Sequence, residues 1–438
     1  MADVQQARTV LRYRWLVFGI MALAYIFVYF HRLCPAVVAE DLQKEFQASA
    51  SLIGLLASAY FYPYALMQFP AGLLSDSLGP RTTATVFLLL AGVGSILFGM
   101  SPSAEYAVGA RVLVGLGVAM VFIPTMKVNS QWFRVSEFAL MAAILNTVGG
   151  FGAWTAATPL AYVTGMAGWR AAFYIIGAGT LVVAVLIWLF VRNRPQDMGL
   201  PSLAEIDHRG PGTAAAPQQI PLWEGARQVV SQKFFWPIAL WFFFGCGVFF
   251  GFGGLWAGPY LEQAYGLSKA EAGGILSMIA LGMIVGSPAL SLLSDRVLHS
   301  RKKVMMLASG GLTLVFLFMC FFPVGLPKWS LYLLIFLFCV GSSAIVVIGF
   351  TTTKELFPVE IAGTSVGTVN LFPFLGGAIF QVVLGVVLDI YGRNEAGIYP
   401  QEAYHALLFV LLGASIAAFL CTLVMKETFP LEARITPK

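Results

Sequence analysis

The stretch GLLSDSLGPR (72–81) ends a long apolar run, with its one acidic residue, Asp76, at the run's edge. SLLSDRVLHSRK (291–302) does the same later in the chain: Asp295 stands 219 residues after Asp76, half of the 438-residue length. Gly54 and Gly273 share that offset. Asn146 and Asn370 are 224 residues apart, as are Phe133 and Phe357. The chain therefore reads as one unit written twice in the same direction.

What each unit is follows from composition. Hydrophobic residues make up 59% and charged residues 11%, against about 45–50% and about 25% in soluble domains. A membrane-spanning helix needs about 20 mostly apolar residues. Twelve runs qualify: 15–38, 51–75, 83–101, 106–131, 138–163 and 169–191, then 235–260, 270–294, 304–323, 329–353, 362–388 and 404–425. The predicted fold is an all-α membrane protein of twelve transmembrane helices in two pseudo-symmetric six-helix bundles. The bundles are expected at 1–198 and 233–438, joined by a polar linker at 199–232 rich in Pro, Gly and Ala. PLWEGARQVVSQ (221–232) reads as a short surface helix. The first run follows Arg8, Arg12 and Arg14 and lacks a small-residue cleavage site, so it is read as a retained span.

Orientation follows from the basic residues. With the N-terminus in the cytoplasm, 18 of the 26 Lys and Arg fall on that side and five outside, namely Lys44, Arg170, Lys269, Lys328 and Arg393. Both termini are expected in the cytoplasm of a bacterial inner membrane. The net charge of +5 has this topological cause and does not point to nucleic acid. Cys34, Cys246, Cys320, Cys339 and Cys421 lie in apolar runs without CxxC or Cys/His spacing. They read as packing residues, with no metal site.

The three remaining cations, Arg32, Arg111 and Lys127, lie inside spans, whereas all 21 carboxylates fall at span ends, in loops or in tails. Arg32 sits in AYIFVYFHRLCPAVVAE (24–40), 18 residues past Arg14, roughly 27 Å along a helix. A cation at that depth needs compensation of several kcal/mol. With no acidic side chain there, the partner is backbone carbonyl, cavity water or an anion from outside. Guanidinium suits carboxylate or phosphate. Arg111 and Lys127 lie about 24 Å apart along one helix and cannot both face a small ligand. Lys127, a turn after Pro124, faces the cavity or snorkels past Trp132. His31 is either a titrating group or a packing residue. Tyr60 and Tyr64 form one stripe. Asn146, Asn370 and Trp256 complete the candidate binding set; interhelical packing is the alternative for the two tyrosines and interhelical hydrogen bonding for the two asparagines. Gly251, Gly253, Gly254, Gly258 and Pro259 mark a span able to bend.

These features together resemble the major facilitator superfamily over essentially the whole chain. Gly72, Leu74, Asp76, Gly79 and Arg81 match its GxLxDxxGRR loop signature. Asp295, Arg296 and Arg301 keep part of it in the second half. RVLVGLGVA (111–119) is similar to the family's fourth helix and GWRAAF (168–173) to the opening of its sixth. The resemblance implies a secondary transporter working by alternating access, not an enzyme, with no cofactor and as a monomer. Asp76, Arg81, Asp295 and Arg296 would form a cytoplasmic gate. YFHRLCPAVVA resembles the first helix of the organic anion symporter and organophosphate exchanger branches, where such an arginine binds substrate. Arg32, with Lys127, Tyr60, Tyr64, Asn146, Asn370 and Trp256, would hold a small carboxylate or phosphate ester. His31 stands where the symporters often carry Asp, so His31 and Arg111 become the candidates for proton coupling. An anion exchanger, a drug or siderophore exporter and a transporter-like anion sensor are the rival readings. The antiporter glycine motif of the fifth helix is unmatched, and GxxxxGK[ST] is absent.

Overall fold

Hydrocarbon offers backbone groups no partners, so each span must satisfy its own by helix formation. The computed structural model describes residues 2–207, 222–358, 361–395 and 397–429, and among these the regular structure is helical. We number the rods α1–α12. In the first bundle, α1 is Ala2–Leu33 continued by Pro35–Phe46, and α2 is Ala50–Ser58 with Phe61–Ser77. Next come α3, Pro80–Gly99, and α4, Ala104–Ala119 with Phe122–Trp132. Val135–Thr155 begins α5, which runs on into Thr158–Phe190. That helix is broken at Gly168, whose φ of 81° favours glycine, and α6 is the part beyond, 169–190.

In the second bundle α7 is Phe235–Val248, a π-helical segment Phe249–Trp256, Ala257–Pro259 and a second π segment, Tyr260–Ala264. The wide turns fall on the glycine-rich stretch expected to bend. The next rods are α8, Lys269–Leu292 with Leu293–Val297, and α9, Arg301–Phe321. Lys328–Ser342, Ile345–Gly349 and Phe350–Leu356 make α10. Ala362–Val369 and Leu371–Tyr391 make α11, and Gln401–Val424 is α12. Ten segments are long and apolar enough to cross a membrane. The break at Gly168 and the shorter α10 bring the rods to twelve, in the expected order. The surface helix expected in the linker is Leu222–Ser231, beside Thr364 of α11. Linker residues 208–221 lie outside the described residues.

The bundles meet along three pairs of rods, and glycine makes each approach close. A Cβ on Gly258 of α7 would lie 1.5 Å from the Ala36 carbonyl oxygen of α1. One on Gly54 of α2 would lie 2.4 Å from the Gln381 carbonyl oxygen of α11, and one on Gly385 of α11 2.5 Å from that of Ala50. Gly273 of α8 packs on Ala161 of α5. The α2–α11 and α5–α8 contacts exchange under the repeat, so the interface carries the pseudo-two-fold relation seen in the sequence.

The ties between the bundles sit at the end opposite the termini. Lys269 pairs with Asp41. Asp389, near the end of α11, accepts hydrogen bonds from the first N–H groups of α2, Ala50 and Ser51, both at 2.8 Å. Arg393 donates to the Ala48 carbonyl. Thr158 of α5 and Ser277 of α8 share a hydrogen bond of 2.5 Å. At the terminus-bearing end, three of the four charges expected to form a gate are engaged within their own bundles. Asp76 pairs with Lys127. Arg81 donates to the Trp188 carbonyl and lies over the Trp188 ring at 4.4 Å. Asp295 pairs with Arg301, which also reaches Glu355 at 3.1 Å. Arg296 is exposed.

Candidate functional site: a caged arginine between the bundles

The local geometry begins at Pro35. Proline has no N–H, so the His31 carbonyl four residues earlier loses its helical donor. Arg111 of α4 supplies the replacement, its Nη1 donating to that carbonyl at 2.9 Å. The Cys34 thiol shares the same acceptor at 3.7 Å. Gly115 permits this approach of α4 to α2: a Cβ there would lie 2.2 Å from the Tyr60 carbonyl oxygen. Tyr60 lies with its ring 5.1 Å from the Arg111 guanidinium and donates its hydroxyl to the Val28 carbonyl at 3.3 Å. Arg111 thus braces the break in α1 by holding the His31 carbonyl, one residue before Arg32. Its Nε and Nη2 are buried without a hydrogen-bond partner.

Arg32 is 6% exposed. Four aromatic rings surround its guanidinium: Tyr29 at 4.9 Å, Tyr64 at 5.0 Å, Phe374 at 5.3 Å and Phe250 at 5.6 Å. They come from α1, α2, α11 and α7, so both bundles build the cage. Tyr60 and Tyr64 stack at 5.7 Å, and Tyr64 meets Phe374 at 4.3 Å. Ring quadrupoles attract a cation, each worth about 0.5–2 kcal/mol when desolvated. They hold the charge without neutralising it. Among the described residues no ion pair involves Arg32, and its Nε is buried without a hydrogen-bond partner. The cage presents an intact positive charge between two bundles.

Of the sequence-predicted residues, the structure brings together Arg32, Tyr60, Tyr64, Arg111 and His31. His31 is fully buried with both ring nitrogens unpartnered, its edge toward Phe30 at 5.6 Å. Lys127 is not part of the cage. Its ammonium is held toward the terminus-bearing end by the Asp76 carboxylate and, at 2.8 Å, the Ser75 carbonyl. Trp256 lies beyond Phe250 on α7, donating its indole N–H to the Gln381 carbonyl at 2.9 Å and so tying α7 to α11. Asn146 and Asn370 are partly exposed, Asn370 at the break in α11, and no described contact joins either to Arg32. Sequence reasoning missed Tyr29, Phe250 and Phe374. The repeat held a signal for one of them, because Phe250 occupies the position equivalent to His31 at the 219 offset.

The Major Facilitator Superfamily model matches residues 20–381 and, in a second match, 255–434. The chain belongs to this superfamily. It is an integral membrane protein of a transport family and not an enzyme. A Cupriavidus necator protein named Probable sulfoacetate transporter SauU is 26% identical over 402 residues, covering 87% of this chain and 89% of that one. The Glycerol-3-phosphate transporter of Bacillus subtilis is 26% identical over 358 residues, covering 79% and 80%. Among solved structures, a bacterial homologue of the human lysosomal transporter Spinster, described as inward-facing and unoccupied, matches with a TM-score of 0.74. That match covers 97% of this chain and 99% of the other at 19% identity, and it shows the fold.

Proposed function

We propose that this chain is a secondary transporter that moves a small organic anion, a carboxylate or phosphate ester, across a bacterial inner membrane by alternating access. The observation that carries the reading is Arg32, a buried cation held by rings from both bundles and matched by no acidic side chain among the described residues. An anion entering the cage would complete that charge, its oxygens taking the planar N–H fork. Tyr64 of the cage and Tyr60 stacked on it would grip the rest of the molecule, with Asn146 and Asn370 available from the more exposed faces of α5 and α11. The relatives named for sulfoacetate and glycerol 3-phosphate support the anion class.

In this reading the bundles are 1–198 and 233–438 with a cytoplasmic linker at 199–232, the termini are cytoplasmic and the chain works as a monomer. The ties at Asp41–Lys269 and Asp389 then close the outer side, leaving the cage served from the cytoplasm. Asp76, Arg81 and Asp295, engaged within their own bundles here, and the exposed Arg296 would meet across the interface when the cytoplasmic side closes. Trp256, locked to Gln381, serves the α7–α11 contact rather than the substrate. Transport is read as proton symport. The candidates for the coupling proton are His31, whose two ring nitrogens are buried without a partner, and Arg111, which donates to the His31 carbonyl. Because the cage holds no carboxylate, exchange of one anion for another is the second reading.

Purified protein in liposomes tests this. Uptake of labelled glycerol 3-phosphate or sulfoacetate driven by an inward proton gradient supports symport. Uptake only against a preloaded anion establishes exchange. Absence of uptake for carboxylates, phosphate esters and sulfonates, with drug cations moving instead, overturns the proposal.

A further inference from the structure

At the end opposite the termini, Glu40 of α1 and Glu262 of α7 each lie four residues beyond Ala36 and Gly258, the closest backbone approach of the two bundles, which sets the two carboxyl groups side by side across the interface. An ionised carboxylate only accepts, so two carboxylates in contact need a proton between them. The surrounding charges point the same way. Lys44 pairs with Glu40 at 2.5 Å and Lys269 pairs with Asp41, and among the described residues no ion pair is made to Glu262, although both lysines stand near it. The other groups facing this point are also engaged. Arg393 donates to the Ala48 carbonyl and lies over Tyr399 at 5.0 Å. Asp389 holds the N–H groups of Ala50 and Ser51. Tyr404 of α12 donates to Gln263 at 2.9 Å. Three carboxylates around two lysines are one negative charge in excess, and the excess lies at a seam where Gly258 packs onto the Ala36 carbonyl.

We infer that Glu40 and Glu262 share one proton while the bundles are closed at this end, so that closing takes up a proton and opening releases it. In the closed state one carboxyl O–H donates to the other carboxylate. When α1 and α7 separate, that hydrogen bond breaks, both groups meet water, and the acid returns its proton to the solution on that side. The proton returns to the side it came from, so the pair carries none across the membrane and instead makes the closed–open balance of this gate depend on the pH outside it. The inference rests on the alternating-access reading above, and it places this proton at the gate, apart from the substrate.

The test reads gate distance without substrate, so its outcome is separate from that of the anion proposal. Spin labels are placed at Glu105→Cys of α4 and Phe322→Cys beyond α9, both exposed at this end, in a background with the native cysteines replaced. Distances are recorded between about pH 5 and pH 9. Wild type is expected to move from short to long distances as pH rises. Glu262→Gln, which keeps a donor for Glu40 but cannot ionise, is expected to stay short at every pH. A label-free check compares melting of wild type and Glu262→Gln over the same range. The wild-type advantage at low pH should be lost on raising pH, and the variant should lack that component. A wild-type distance that ignores pH, a Glu262→Gln distance that shifts as wild type does, or parallel melting curves would each overturn the inference.

Discussion

Gly258 is the point at which the closed gate is most easily wedged. A Cβ at this position would lie 1.5 Å from the Ala36 carbonyl oxygen and 2.7 Å from its carbon. The neighbour is backbone, which cannot swing aside as a side chain can, and relieving the overlap means moving α7 away from α1 by about 2 Å to reach ordinary contact. Overpacking of this kind costs about 1–3 kcal/mol. The strain exists only where the bundles meet, so the full amount falls on the closed state, a shift of roughly 5- to 150-fold toward opening at this end. The open state, meanwhile, gains the helix preference of Ala over Gly, about 1 kcal/mol. Gly258→Ala should therefore fold, expose the seam to a membrane-impermeant thiol reagent at a cysteine placed beside Asp41, and transport slowly because the cycle stalls. Gly109→Ala, with nothing within 4 Å of the new Cβ, is the control. Wild-type reactivity and uptake in Gly258→Ala would show that α1 and α7 do not form the gate.

Three further outcomes follow from the site. Arg111→Ala leaves the His31 carbonyl without its donor and should lower stability by about 1–3 kcal/mol in a detergent melt. Adding Pro35→Ala should recover part of that loss, because residue 35 then supplies an N–H of its own. Lys127→Ala should leave ligand-induced stabilisation within about threefold of wild type, since its ammonium is committed to Asp76, as a ligand titration of the melting temperature would report. Phe374→Ala removes one wall of the cage and should weaken anion binding by about 1–2 kcal/mol, measured by the same titration.

The features legible in the sequence are those a single span can display. The repeat showed because Asp76 and Asp295 interrupt otherwise apolar text at span ends. Arg32 showed because a cation inside a span is expensive wherever the span packs. Tyr60 and Tyr64 showed because a four-residue spacing puts them on one helix face. Beyond Tyr64, what surrounds Arg32 did not show. Phe374 is one of 36 phenylalanines, set apart only where α11 packs onto α2, and Phe250 carried no signal beyond its place at the repeat offset. Lys127 was ambiguous for the same reason: its partner, Asp76, is 51 residues away and meets it only because α2 and α4 lie together. Asp41, Lys269 and Asp389 read as ordinary solvated charges at span ends. Their pairing across the bundles belongs to one arrangement of two bodies, and periodicity within one helix carries no record of that. The brace between Arg111 and His31 was half visible, since Pro35 announces a carbonyl in need of a donor but cannot name the donor.

The central claim is that Arg32 is the anchor for an anion, and its most direct measurement is a thermal-shift titration of the purified protein with carboxylates, phosphate esters, sulfonates, amines and neutral sugars, run beside Arg32→Lys and Arg32→Ala. A ligand at 100 times its Kd should stabilise the folded protein by about 2.7 kcal/mol. The account predicts that one anion class raises the melting temperature of wild type, that Arg32→Lys responds weakly because it keeps the charge but loses the planar fork, and that Arg32→Ala does not respond. Stabilisation by amines or neutral sugars alone, or an equal response from Arg32→Ala, would contradict it and leave Arg32 a structural residue held by its four rings.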